Sequence, residues 1–137
     1  MPKGKIVNLA LVGCGGIAGA HLSRYETLID SGENRFRIVA AVDSDISRAK
    51  AFADRINAKT GWHVNTYRSV EQLLNSEPNL DGADICSPHG LHHVLGCDLL
   101  KGGVNIICEK PIGVTVKASK KIIAAAKRYK KIAANAE

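Results

Sequence analysis

The chain has 137 residues, of which 45% are hydrophobic, 23% charged and 4% aromatic. This is the length of one domain with its own core, too poor in Gly and Pro to be fibrous or low-complexity, and without any apolar run near the ~18 residues of a membrane span. The net charge of +6 lies wholly in residues 111–137, because residues 1–110 carry 12 basic and 12 acidic side chains; a surface built for nucleic acid would spread its charge over a face and add aromatics, so neither nucleic-acid nor membrane partners are expected.

Ile6–Val12 is a short apolar run ending at Gly13, the pattern of a strand buried on both faces. Lys3 and Lys5 ahead of it imitate a signal peptide, but Asn8 interrupts the run and glycines follow at once. From Gly16 to about Ser31 the apolar positions Ala18, Leu22, Tyr25 and Ile29 mark a helix face. Ile38–Val42 is a second strand, closed by Asp43, and Ile46, Ala49, Ala53 and Ile56 mark a second helix. His63–Tyr67 is a third strand, and Ser69 with Gln72 forms a capping box for a brief helix. Ala83–Cys86 is a fourth strand stopped by Pro88. Leu91, Val94, Leu95 and Leu99 mark a helix ended by Gly102 and Gly103. Val104–Cys108 is a fifth strand, and Thr115 caps a last helix with the stripe Ala118, Ile122, Ala125 and Tyr129. Strands alternating with helices predict an α/β fold, a Rossmann-type doubly wound parallel sheet in one three-layer domain.

Gly13-Cys14-Gly15-Gly16-Ile17-Ala18 fits G-x-G-x-x-G/A between a strand and a helix. Gly13 permits the tight turn, Gly15 lets a diphosphate approach the backbone, and Ala18 lets the helix pack closely. The helix N-terminus offers N–H groups to phosphate oxygens. Asp43 stands where a carboxylate accepts from an adenosine ribose, 30 residues after Gly13, and the Asp30–Arg35 loop absorbs the extra length. A carboxylate there repels a 2′-phosphate, which favours NAD over NADP. Arg48 offsets this charge, stacks near the adenine, or is merely a solvated helix residue.

Two polar clusters follow strand ends, where ligands sit in open α/β sheets. Ser87-Pro88-His89-Gly90-Leu91-His92-His93 follows the fourth strand, and Glu109-Lys110-Pro111 the fifth. Three histidines without a nearby acid or thiol at ligand spacing argue against a metal site. Lys110, between an apolar strand and a proline, is either a partly desolvated proton donor to a substrate oxygen or a plain surface partner of Glu109. Cys14, Cys86, Cys97 and Cys108 show no paired spacing, which suits a reducing cytoplasm.

Leu11–Ala18, Ala41-Val42-Asp43, Ser87-Pro88 with His92 four residues after the proline, and Cys108-Glu109-Lys110-Pro111 together resemble the Gfo/Idh/MocA oxidoreductases. The resemblance covers essentially the whole chain. It implies the NAD(P)-binding domain of an enzyme that transfers hydride between a nicotinamide cofactor and a sugar or polyol carbinol. Gly13, Gly15, Gly16 and Ile17 would hold the pyrophosphate, and Asp43 the adenosine ribose. Ser87, Pro88, His89 and His92 would line the nicotinamide side, with His89 standing where the family commonly has Asn. Glu109 would touch the nicotinamide ribose or carboxamide, and Lys110 would be the catalytic lysine.

The resemblance also implies a second α/β domain, carrying substrate pocket, catalytic His and oligomer interface, that residues 1–137 lack. The chain is expected to stop near the start of the family's sixth strand and to bind cofactor with little or no catalysis. The fifth strand's edge and nearby apolar surface are expected to be exposed and open to self-association. Other classes are a non-catalytic NAD(H)-binding or partner-binding module, a methyltransferase with its own glycine loop and acidic strand end, and a nucleic-acid binder using residues 117–131.

Overall fold

Short apolar runs, each too hydrophobic to leave either face in water, pair side by side and send a helix over the sheet between one strand and the next. The computed structural model describes residues 5–86, 92–109 and 116–136. In chain order the elements are β1 (Val7–Val12), α1 (Gly16–Asp30), β2 (Phe36–Val42), α2 (Ile46–Thr60), β3 (Asn65–Tyr67), α3 (Val70–Ser76), β4 (Gly82–Ile85), α4 (His92–Lys101), β5 (Asn105–Glu109), α5 (Val116–Tyr129) and β6 (Ala133–Ala136). The sheet has the order β3-β2-β1-β4-β5-β6 and every pair is parallel. Strand order reverses between β1 and β4, and this is where a doubly wound sheet opens its crevice.

Alternating strand residues feed two cores. Leu11, Ile38 and Ala41 pack under Leu22 of α1 and Ala49, Ala53 and Ile56 of α2. On the other face Val12, Val42, Ile85 and Ile106 pack against Leu73 of α3, Leu99 and Leu100 of α4 and Ile122 of α5. Fully burying a Leu or Ile side chain contributes roughly 1.5–3 kcal/mol, and eleven of the largest side chains are below 2% exposed. Val39 is the extra residue where the β1–β2 register shifts, with Leu9 opposite Ile38 and Ala10 opposite Ala40.

The elements differ from the sequence reading at their ends. α2 runs to Thr60, one turn past Ile56, and stops at Gly61, whose φ of 76° is left-handed and suits glycine. β3 begins at Asn65, because Val64 N–H is taken by the Asn57 side chain at 2.9 Å. Ser69 caps α3 by accepting from Gln72 N–H, but the Gln72 side chain reaches back to Arg68 N–H, one residue before the cap. Thr115 and Leu91 lie outside the described residues.

One expectation is corrected. The edge of β5 is not exposed, since Ile106–Glu109 pair with Ala133–Ala136 of β6. The sheet ends instead on β3 and β6. Apolar exposure falls on a sheet face: α1 and α2 pack over β1 and β2, with His21 and Tyr25 of α1 reaching Asp84 of β4, whereas over β5 and β6 that face carries no helix among the described residues. Val7, Leu9, Tyr25, Ile107 and Ile132 line the trough left there, and Ile107 is 39% exposed and Ile132 69%.

Candidate functional site

The crevice forms where four strand ends are tied together past their ladders. Gly13 N–H donates to Val42 C=O at 2.7 Å, Asp43 N–H to Tyr67 C=O at 3.1 Å, and Cys86 N–H to Val12 C=O at 2.7 Å. Gly13 turns the chain out of β1 with φ 92°, a conformation closed to most side chains. The next residues open α1 without a cap. Gly15 occupies the cap position with no side-chain hydrogen bond, and no acidic residue lies in the first turn. Free N–H groups and the positive end of the helix dipole therefore face the crevice. A Cβ at Gly15 would meet no atom within 4 Å, so the space in front of this backbone is open. Ile17 projects from the first turn, half exposed, while Ala18 is fully buried against the sheet.

Asp43 faces this turn. Its Oδ2 accepts from Cys14 N–H at 2.9 Å and its Oδ1 from Asp45 N–H at 2.9 Å. The carboxylate is thereby fixed at the crevice mouth, half-buried, with lone pairs remaining on both oxygens. Cys14 points inward, its thiol donating to Val42 C=O at 3.5 Å. Burial, then the Asp43 charge, push this thiol up to about 12, so it stays protonated. Arg48 is exposed one turn into α2, its Nε 3.8 Å from Asp45 Oδ2.

Bare amides, an open approach and a fixed carboxylate at the switch point fit a dinucleotide: anionic phosphates at the helix end, hydroxyls at the acid. The structure brings together Gly13, Gly15, Gly16, Ile17 and Asp43, with Arg48 at the rim. Ser87, Pro88, His89 and Lys110 lie outside the described residues. His92 opens α4 and Glu109 ends β5. The ends of β4 and β5 are neighbours, with Ile85 opposite Cys108, on the same side of the sheet as Gly13.

A polar cluster that the sequence reading missed lies beside the crevice. His21 and Asp84 are both buried, with His21 Nδ1 2.7 Å from Asp84 Oδ2. Tyr25 donates its hydroxyl to the same oxygen at 2.8 Å. Burial first, and the Asp84 charge second, hold that phenol far above its ordinary range. Cys86 Sγ lies 3.4 Å from His21 Nδ1 and 3.5 Å from Asp84 Oδ1. The readable signal was an acid inside an apolar strand, with His21 and Tyr25 one turn apart on α1.

Known proteins resemble this chain. Residues 7–136 match the model of the GFO_IDH_MocA family, described as an oxidoreductase family with an NAD-binding Rossmann fold. The chain is 34% identical over 97 residues to a D-xylose 1-dehydrogenase (NADP(+)) of Hypocrea jecorina, covering 70% of this chain and 24% of that protein. It is 28% identical over 129 residues to a D-glucoside 3-dehydrogenase of Escherichia coli, covering 93% of this chain and 34% of that protein. Its fold matches the WlbA dehydrogenase of Chromobacterium violaceum, solved with NADH and UDP-GlcNAcA, with a TM-score of 0.86 at 24% identity, over 98% of this chain and 36% of that one. The chain thus spans about a third or less of the length of these relatives.

Proposed function

The chain belongs to the Gfo/Idh/MocA oxidoreductase family, as an NAD-binding Rossmann domain, and from that premise we propose that it holds a nicotinamide dinucleotide across the β1/β4 crevice for hydride exchange with the carbinol of a sugar or polyol. In this reading Gly13, Gly15, Gly16 and Ile17 hold the diphosphate against the α1 N-terminus, and Asp43 accepts from the adenosine ribose. Ser87, Pro88, His89, His92 and Glu109 line the nicotinamide side. Lys110 donates a hydrogen bond to the carbinol oxygen and exchanges its proton. The nicotinamide ring, when bound, supplies the hydride donor or acceptor.

The observation that carries this reading is the uncapped start of α1 facing a carboxylate already oriented by two backbone N–H groups. Asp43 also supports NAD over NADP, since a 2′-phosphate would set like charges together. One relative is named for NADP(+), so this preference rests on Asp43 and not on kinship. None of the four cysteines forms a disulfide, in keeping with a reducing cytoplasm.

Calorimetric titration with NADH and NADPH tests the reading. NADH is expected to saturate well below millimolar and NADPH to bind more weakly; no saturation by either at millimolar concentration overturns it. Substrate and turnover belong to the whole protein, where Lys110→Met is expected to abolish reduction of NAD while leaving NADH binding in place.

A further inference from the structure

Three side chains of different chemistry converge beside the cofactor crevice without belonging to it. His21 comes from the second turn of α1, Asp84 from β4, and Cys86 from the residue after β4. Their nitrogen, oxygen and sulfur donor atoms all lie within 4.8 Å of one another. His21 is 6% exposed and Asp84 3%, so water does not screen the group. Cys86 Sγ donates to Asp84 Oδ1 and lies against His21 Nδ1, so the thiol touches both other members of the group.

We propose that His21 Nδ1, an Asp84 carboxylate oxygen and Cys86 Sγ bind one divalent cation of the zinc class. Metal–donor bonds of about 2.0–2.3 Å place tetrahedral ligands about 3.3–3.8 Å apart. The two distances to sulfur, 3.4 and 3.5 Å, fall in that range. The His21–Asp84 contact of 2.7 Å is a hydrogen bond and must open by roughly 0.6 Å to match the same spacing. Ligation through Asp84 Oδ1, the oxygen 3.5 Å from Cys86 Sγ, leaves Oδ2 to the Tyr25 hydroxyl. A thiolate, an imidazole and one carboxylate select zinc-like ions over magnesium or calcium. Asp84 and Tyr25 also line the open trough on the uncovered sheet face, which gives the ion an entry path.

The Cys86 S–H bond breaks, sulfur keeps the electron pair and binds the metal, and one proton leaves to solvent. The Nδ1 hydrogen of a neutral His21 is lost as Nε2 gains one, so the imidazole stays neutral. Nothing is oxidised or reduced.

The test titrates the full chain, freed of metal by dialysis against chelator, with Zn2+ in competition with a chromophoric chelator, and with Co2+ as spectroscopic reporter. The expected result is one ion per chain at micromolar affinity or tighter, about one proton released, and a near-ultraviolet thiolate-to-cobalt band. Cys86→Ser, nearly isosteric, is expected to weaken binding at least 100-fold and remove the band, with circular dichroism unchanged. His21→Gln is expected to act alike; should it unfold, Cys86→Ser decides alone. A variant with His89, His92 and His93 all changed to Gln is expected to bind as before. Binding weaker than about 100 micromolar, full binding by Cys86→Ser, or loss of binding in the triple-histidine variant each overturns the proposal.

Discussion

The N-termini of α1 and α2 open at the same side of the sheet, yet they are finished in opposite ways. α2 is closed by its own sequence: Asp45 accepts from Ser47 N–H at 3.0 Å, and α3 follows suit with Ser69. α1 has glycine at its cap and no acid in its first turn. A self-capped helix has settled its end groups internally and has little to offer an anion. An uncapped helix that starts at a tight turn, with open space before it, keeps its donors for something else. Capping therefore separates the two helices by purpose: α2 secures the fold, and α1 gives up a cap where the cofactor is proposed to lie.

The contrast breaks if α1 is given the cap that α2 has. Gly15 has extended backbone angles that any residue adopts, and an added Cβ meets nothing. Gly15→Asp is expected to leave thermal stability unchanged or slightly higher, since aspartate replaces glycine at a cap at a gain of only a few tenths of a kcal/mol. The same carboxylate faces the diphosphate, so NADH affinity should fall on the order of 100-fold. Calorimetry beside a melting curve reads both; loss of binding together with loss of fold would leave the helix end without its assigned role. Asp43→Asn comes next. It keeps an acceptor for Cys14 N–H but removes the charge, so NADH should weaken about tenfold and the margin over NADPH should shrink.

The strands and the glycine turn were legible because local rules dictate them. Strands buried on both faces read as apolar runs, and only glycine fits the φ of 92° at Gly13. Asp43 was legible by position, but its bonds to Cys14 and Asp45 were not. β6 was not readable as a paired strand: Ala-Ala-Asn-Ala has no β-branched residue, and its pairing with β5 gives it strand form. His21, Tyr25, Asp84 and Cys86 were each visible, but the contacts that tie His21 and Tyr25 of α1 to Asp84 and Cys86 span 59 to 65 residues. Such a cluster depends on how α1 lies over β4, which no local pattern encodes.

On the α2 side the comparison sharpens through stability. Asp45→Ala removes the cap and should lower the unfolding free energy by about 1 kcal/mol in urea titrations. The exposed pair with Arg48 at 3.8 Å adds little to that. NADH affinity of the folded fraction should be unchanged, because Asp43 accepts from the backbone N–H of residue 45 and keeps that bond.

The smallest effect concerns the thiol between the two ends. Cys14 titrates at an ordinary value of 9.0 when unfolded and is pushed up to about 12 in the fold. A raised thiol means the fold favours the neutral form. Its contribution is therefore complete below about pH 9 and is lost as pH rises through that value towards about 12. At pH 7–8 no ionisation of Cys14 should be felt in stability or NADH affinity. At pH 10 the loss should reach about 1 kcal/mol, seen as a lower urea midpoint that is absent in Cys14→Ala. A step in NADH affinity between pH 7 and 8.5 that vanishes in the same variant would mean the thiol ionises where the diphosphate is proposed to lie, and the glycine turn would then not be the neutral surface that an anion needs.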